Sequence, residues 1–395
     1  MTAQPQALQT LALAERLAPS LVAWRRAIHC HPELGFREFK TAGLVARELR
    51  TMGIEFRTGV GKTGIVADIA SDKTGRWVAL RADMDALPIH EQNDCAYRSR
   101  VPGVMHACGH DAHTAMLLGA AALFAQHPPT AGGVRFIFQP CEEDADEEGL
   151  SGAQRMVAEG AMAGMSAVLA LHVTPLLPVG KVGYDEAISA SVDDFVLTLR
   201  GPGGHAASPH LTVDTVMVLG QVIGALYAGV PRAVDPMHPA VLTIGSVNGG
   251  HANNVIPSEI RLTGTLRARN AEARLAAMQV CERAVTLARA LGAEAEWHWE
   301  QPSHPLSLND AAALDALVRA ARSLLGPDCV ADDRGLGLGG EDFTYFAQQA
   351  PGAMLYLGAR VDGHGEWHTP TFDVDERALP LGAAILYEGA RLLMS

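Results

Sequence analysis

The chain has 395 residues, 48% of them apolar and 19% charged, and carries a formal net charge of -13. That balance fits a compact globular protein of two domains rather than a disordered chain. With no stripe of clustered Lys and Arg it argues against a nucleic-acid partner, while a small anionic substrate stays open, because a local Arg can reverse the potential inside a cleft. In chain order, residues 7–27 and 38–52 read as amphipathic helices, the second closing at Gly53. Trp77-Val-Ala-Leu-Arg81 has the character of a strand, and Thr114 to Gln126 that of a helix. Strands near 134–138 and 167–171 flank a helical 154–159. Strands alternating with helices predict an α/β fold with a mainly parallel sheet covered on both faces.

The middle of the chain has a different rhythm. Residues 193–200, 241–247, 259–267 and 293–300 read as strands, and 213–228 and 271–291 as helices. The order βαββαβ predicts a small α+β domain inserted into the larger one. The expected boundaries are 1–187 for the first part of a catalytic domain, 188–301 for the insert and 302–395 for the second part. Helix 213–228 is apolar almost all round, which needs either full burial within the insert or a second surface such as a dimer contact.

The N-terminus Met-Thr-Ala-Gln-Pro-Gln has neither a charged region nor an apolar one of the kind that directs export. No apolar run reaches the roughly 20 residues of a membrane span. Cys30, Cys95, Cys108, Cys141, Cys281 and Cys329 follow no disulfide-like rhythm. A cytoplasmic protein with reduced thiols and no membrane contact is the expectation.

Chemistry concentrates in Met105-His-Ala-Cys108-Gly-His110-Asp111-Ala-His113, a thiol and three imidazoles within one short segment. Cys108 and His110, one glycine apart before a helix, read as metal ligands, the helix N-terminus favouring the thiolate. His106 and His113 read as hydrogen-bonding supports to those ligands. In open α/β sheets ligands sit beyond the carboxyl ends of strands, where Asp83, Glu142, Glu143 and His172 all fall. Of two adjacent carboxylates beyond a strand end, one can ligate metal while its neighbour acts on water as general base. The remaining acids of the loop, Asp144, Asp146, Glu147 and Glu148, read as facing water. In the insert, the turn-rich Gly204-His205-Ala-Ala-Ser-Pro209 presents an imidazole that could stabilise an oxyanion, and Asn254 and Arg267 could hold a substrate carboxylate. Gly335-Leu-Gly-Leu-Gly339-Gly340 lacks the register and preceding strand of a nucleotide loop and reads as a turn.

Several stretches occur in one order: His29-Cys-His-Pro-Glu-Leu-Gly35, Arg81-Ala-Asp-Met-Asp-Ala-Leu-Pro88, the Cys108 segment, Phe138-Gln-Pro-Cys-Glu-Glu143, Gly204–Pro209, Asn254-Val-Ile-Pro257 and Trp367-His-Thr-Pro370. As a set they resemble the M20 metallopeptidase family, in its aminoacylase and hippurate-hydrolase branch. The resemblance implies two divalent ions (Zn, Mn or Co) held by Cys108, His110, Glu143, His172 and His368, with Glu142 as general base. It implies that Asp83 orients a ligand, that His205 polarises the scissile carbonyl, and that Asn254 and Arg267 contact the substrate. It further implies hydrolysis of N-acyl-amino acids by a homodimer that pairs through its lid domain. A dipeptidase or carboxypeptidase, a carbamoylase and, more remotely, a non-catalytic binding protein of the same fold are the alternatives. Where branch members follow the Glu pair with a short Gly-rich turn, this chain has the longer, acidic Asp144–Ser151.

Overall fold

The computed structural model describes residues 3–300, 305–331 and 337–394. They form two compact units: the described residues of 1–188, 308–335 and 342–395 make the first, and those of 189–307 and 336–341 the second.

The first unit begins with α1 (Ala3–Arg16) and α2 (Ala18–His29), where a single helix over 7–27 is expected from sequence. The chain breaks at Leu17, with Pro19 in the first turn of α2, where its missing N–H costs nothing. After α3 (Phe39–Thr51) come two strands that apolar periodicity does not reveal, β1 (Glu55–Val60) and its antiparallel partner β2 (Gly64–Ala70). β1 is a mostly exposed edge strand, so it carries no apolar signature. β3 (Trp77–Asp83), α4 (His110–Gln126), β4 (Gly133–Gln139) and β5 (Ala167–Thr174) follow.

The seven-stranded sheet has the order β1-β2-β4-β3-β5, then the strand Gly352–Gly358 and the short Val182–Gly183. Its four central strands run parallel, and the pairings outside them are antiparallel. Both faces of the centre are covered. Leu169, Leu171 and Val173 of β5 join one apolar cluster, while Val168 and Ala170 join another with Met156, Phe343 and Phe346. Burial on both faces explains why β5 reads as a continuous apolar run. α4 lies in the first cluster, and every residue from His110 to Phe124 is buried. Each of its large apolar side chains contributes about 1.5–3 kcal/mol by leaving water. Parallel strands carry β3, β4 and β5 to one edge of the sheet, which gathers the segments that follow them.

The second unit has the expected βαββαβ order. Its sheet runs Ala240–Asn248, Glu259–Ala268, Ser191–Arg200, Glu294–Trp299, all antiparallel, packed against helices Thr215–Ala233 and Ala271–Ala290. Helix Thr215–Ala233 buries Val218, Leu219, Val222, Leu226 and Val230, but leaves Val216, Met217 and Tyr227 about half exposed. By length and apolarity this helix matches a membrane span, yet its buried stripe packs on the sheet of its own unit.

Candidate metal centre

The segment between β3 and α4 delivers Cys108 and His110. Between them Gly109 sits at φ 100°, and a Cβ there would lie 2.3 Å from Val173 Cγ2. Only glycine fits both the backbone and the space, so this residue sets the direction in which its two neighbours point. α4 starts at His110 rather than at Thr114, which puts His110 and His113 in its first turn. β5 presents His172 directly before Val173 and Thr174, which end the strand's buried run at its carboxyl end. Glu142 and Glu143 follow β4, and His368 stands in the segment after Gly352–Gly358 at φ 59°.

These side chains converge. Cys108, His110 and His172 bring one donor atom each to within 4.8 Å of one another, and so do Cys108, Glu143 and His368. The two groups share Cys108 and together contain all five ligands expected from sequence. His368 Nε2 lies 3.2 Å from Glu143 Oε1, and Cys108 Sγ 3.5 Å from His172 Nε2. Glu142 joins His110 and Glu143 in a third such group.

Hydrogen bonds determine which imidazoles have a nitrogen to spare. His172 donates through Nδ1 to the Val173 carbonyl at 2.8 Å, leaving Nε2 toward Cys108. His110 donates through Nδ1 to Asp85 at 3.2 Å, and its buried Nε2 has no hydrogen-bond partner among the described residues. Glu143 Oε1 is likewise buried without one. His113 is fully engaged, donating to Asp83 at 2.6 Å and accepting from the Val173 N–H at 2.9 Å. Both of its ring nitrogens are thus engaged within the protein. His106 differs from the hydrogen-bonding role expected of it, for neither of its buried ring nitrogens finds a hydrogen bond among the described residues.

Asp83 also accepts from Arg81 at 2.6 Å, and Arg81 reaches Gln139 and Asp342 at 2.6 and 3.1 Å. Sequence reasoning singled out Asp83 but missed Asp85. Asp85 Oδ1 takes the proton of His110, and Oδ2 accepts from the backbone N–H of both Glu142 and Glu143 at 3.0 Å. The signal was the second Asp of Asp83-Met-Asp85. Asp342 was missed as well, and its backbone N–H donates to Glu142 Oε1 at 3.4 Å.

Electrostatically the cluster is over-supplied with anions. Burial opposes a charge on His110, but Asp83 and Asp85 outweigh it and raise the imidazole to about 10. Burial would raise Asp83, yet His110, Arg81 and His113 hold it well below the usual carboxylate range. Burial, seconded by His113, pushes His172 well below its ordinary value and keeps it neutral. At Cys108 burial and then the Glu143, Glu142 and Asp83 carboxylates push the thiol well up, opposing the effect expected of the helix N-terminus. Orphaned donor atoms on His110 and Glu143, a mixed N, S and O donor set and crowded carboxylates all fit resident cations.

A correction concerns the acidic loop. Asp146 does not face water: its side chain is 4% exposed and is held by Lys62 at 2.6 Å and Arg155 at 2.7 Å. In the second unit, His205 and Asn254 come together where Gly204–His205 pairs with Val255–Ile256, and the Ala206 N–H donates to the Asn254 carbonyl at 3.1 Å. Arg267 lies on the four-stranded sheet instead, donating to the Leu338 carbonyl at 3.0 Å within the glycine-rich turn. Gly335 and Leu336 of that turn lie outside the described residues.

Comparison with known proteins agrees with this architecture. Residues 79–391 match the model of peptidase family M20/M25/M40. The chain is 38% identical over 384 residues to an N-acetyl-L-cysteine deacetylase of Bacillus subtilis, covering 96% of this chain and 89% of the relative. It is 38% identical over 370 residues to thermostable carboxypeptidase 2 of Saccharolobus solfataricus, covering 92% of each. A crystal structure of a Bacillus subtilis dinuclear metal binding peptidase from the M20 family superposes with a TM-score of 0.84 at 36% identity, over 96% of this chain and 99% of that one. The chain thus belongs to peptidase family M20/M25/M40, as its ordered motifs imply.

Proposed function

We propose that this protein hydrolyses the amide bond of N-acyl-amino acids, releasing a carboxylic acid and a free amino acid. The observation that carries the reading is the pair of donor groups sharing Cys108, with Glu142 beside them. Cys108, His110 and His172 would hold one divalent ion, and Cys108, Glu143 and His368 a second. A borderline donor set of this kind suits Zn, Mn or Co. When bound, such ions acidify water and polarise a carbonyl.

The protein's own groups do the rest. Glu142 takes a proton from the attacking water and returns it to the departing amide nitrogen. Asp85 fixes the start of the Glu142–Glu143 segment and the His110 ring, so the base and one ligand are oriented by a single carboxylate. Asp83 and Arg81 hold the second layer through His113 and Asp342. The second unit is read as an inserted lid in which His205 donates to the oxyanion, while Asn254 and Arg267 hold the substrate carboxylate. The exposed Val216, Met217 and Tyr227 support a homodimer through helix Thr215–Ala233. All six cysteines are free, which suits a reducing cytoplasm.

A carboxypeptidase reading is favoured by the similarity to a carboxypeptidase. One assay separates the two: metal-loaded protein against acetyl, benzoyl, indoleacetyl and long-chain acyl amino acids beside simple dipeptides. The proposal expects turnover of acyl amino acids, lost on chelation and restored by Mn, Co or Zn. It also expects Glu142→Ala to lose at least ~10²-fold in kcat. Turnover of dipeptides alone would replace it with the second reading, and undiminished activity after chelation would end both.

A further inference from the structure

Among the described residues, four that are not glycine occupy the left-handed backbone region: Phe36 at φ 58°, Lys62 at 76°, Cys141 at 47° and His368 at 59°. For an ordinary side chain this conformation costs about 1–3 kcal/mol and persists only where the surroundings enforce it. Two of these positions, Phe36 and Cys141, meet at one carboxyl group, and the third, Lys62, is next to a residue that joins them there. Glu38 is fully buried, and its Oε1 accepts from the backbone N–H of Phe36 and from that of Cys141, both at 2.9 Å. Its other oxygen accepts from the hydroxyl of Thr63, the neighbour of Lys62. Lys62 in turn places its ammonium 4.4 Å from the centre of the Phe36 ring.

The plainer reading is that Glu38, which stands at the N-cap of α3, serves that helix. Its side chain makes no cap hydrogen bond, however. The early N–H groups of α3, those of Lys40 and Thr41, go to Glu33 instead. The carboxyl oxygens of Glu38 accept from Phe36, Thr63 and Cys141, all outside that helix. It also sits in an unfavourable place for a carboxyl group, since burial and then Asp85 push it up to about 7.

Cys141 is the residue immediately before Glu142. Its backbone dihedrals set the direction in which the chain leaves β4 and delivers the carboxylate pair to Asp85. We infer that Glu38 is a positioning residue for hydrolysis: by holding Cys141 in its left-handed conformation it places Glu142 and Glu143. The inference rests on Glu142 being the general base.

The test uses the full-length, metal-loaded enzyme and an N-acetyl-amino acid, with Glu38→Ala and Glu38→Gln made in both wild-type and Glu142→Ala backgrounds. Steady-state kinetics, bound metal and the thermal midpoint are read for each. Glu38→Ala should lower kcat about 10-fold or more with KM within about threefold, because a displaced base costs rate rather than binding. Glu38→Gln keeps one oxygen for both backbone N–H groups and should recover most of that loss. In the Glu142→Ala background, compared at equal bound metal so that any shift of Glu143 is accounted for, Glu38→Ala should cost less than about twofold, since the base that it positions is gone. If Glu38→Ala does not fold, Thr63→Val carries the test, with an expected loss of about threefold in kcat that vanishes without Glu142. Wild-type kcat in a folded Glu38→Ala, or an equal loss in both backgrounds, overturns the inference alone. Wild-type activity in Glu142→Ala overturns the base assignment and this inference together.

Discussion

Asp85→Asn is the most informative single change at the site. The Asp85 side chain is fully buried and makes three hydrogen bonds, one through Oδ1 and two through Oδ2. Asparagine can keep the two backbone bonds if its carbonyl takes the place of Oδ2. Its NH2 group must then face the Nδ1 of His110, donor against donor. The imidazole can escape only by moving its proton to Nε2, which removes the lone pair aimed at the cluster. Rotating the amide the other way sets its NH2 against the N–H groups of Glu142 and Glu143, which is worse. Even the less costly outcome leaves at least one buried polar contact unmade, at about 1–3 kcal/mol. That corresponds to roughly 10–100-fold weaker metal binding, the usual cost of losing a partner behind a ligating histidine. Competition against a chromophoric chelator, on protein whose thermal midpoint has been recorded, measures it directly. Wild-type affinity for both ions in Asp85→Asn would refute the role given to Asp85.

Further outcomes follow from the same geometry. Gly109→Ala places a Cβ against Val173 in a left-handed backbone; it should destabilise the fold by about 2 kcal/mol or more and lower bound metal, and an unchanged thermal midpoint with full metal content would contradict this. His29 lies buried between Asp111 at 2.8 Å and Glu91 at 3.2 Å. Burial opposes its charge, but Asp111 and Glu91 raise it to about 9 from 6.5. Because the folded-state value is the higher one, its stabilisation is complete below pH 6.5 and disappears as pH rises through about 9. The contribution is on the order of 3 kcal/mol. Denaturant midpoints of wild type and His29→Gln should therefore converge from pH 6 to pH 9.5, and a constant gap would show that His29 is not charged in the fold.

How much of this was legible in the sequence depends on the range of the interactions involved. Cys108, His110 and the Glu142–Glu143 pair were readable because they sit at a helix start or just beyond a strand, whereas His172 lies within a strand and His368 was singled out only by the family resemblance. Asp85 and Glu38 were not, because their partners are backbone N–H groups 57, 58 and 103 residues away, which no local pattern encodes. The upward push on the Cys108 thiol was hidden for a related reason: the helix that follows it is visible in the sequence, whereas burial and three distant carboxylates are not. Asp146 looked like solvent-facing charge until Lys62, 84 residues earlier, was found against it. β1 escaped because an exposed edge strand has no apolar face to read.

Cys108 is proposed to serve two metal sites at once. Elemental analysis of metal-loaded protein measures this most directly, comparing wild type with Cys108→Ala, His172→Ala and His368→Ala. The account predicts two ions per chain for wild type, about one for each histidine variant and almost none for Cys108→Ala. A wild-type protein holding less than one ion, or a Cys108→Ala variant still holding two, would contradict it.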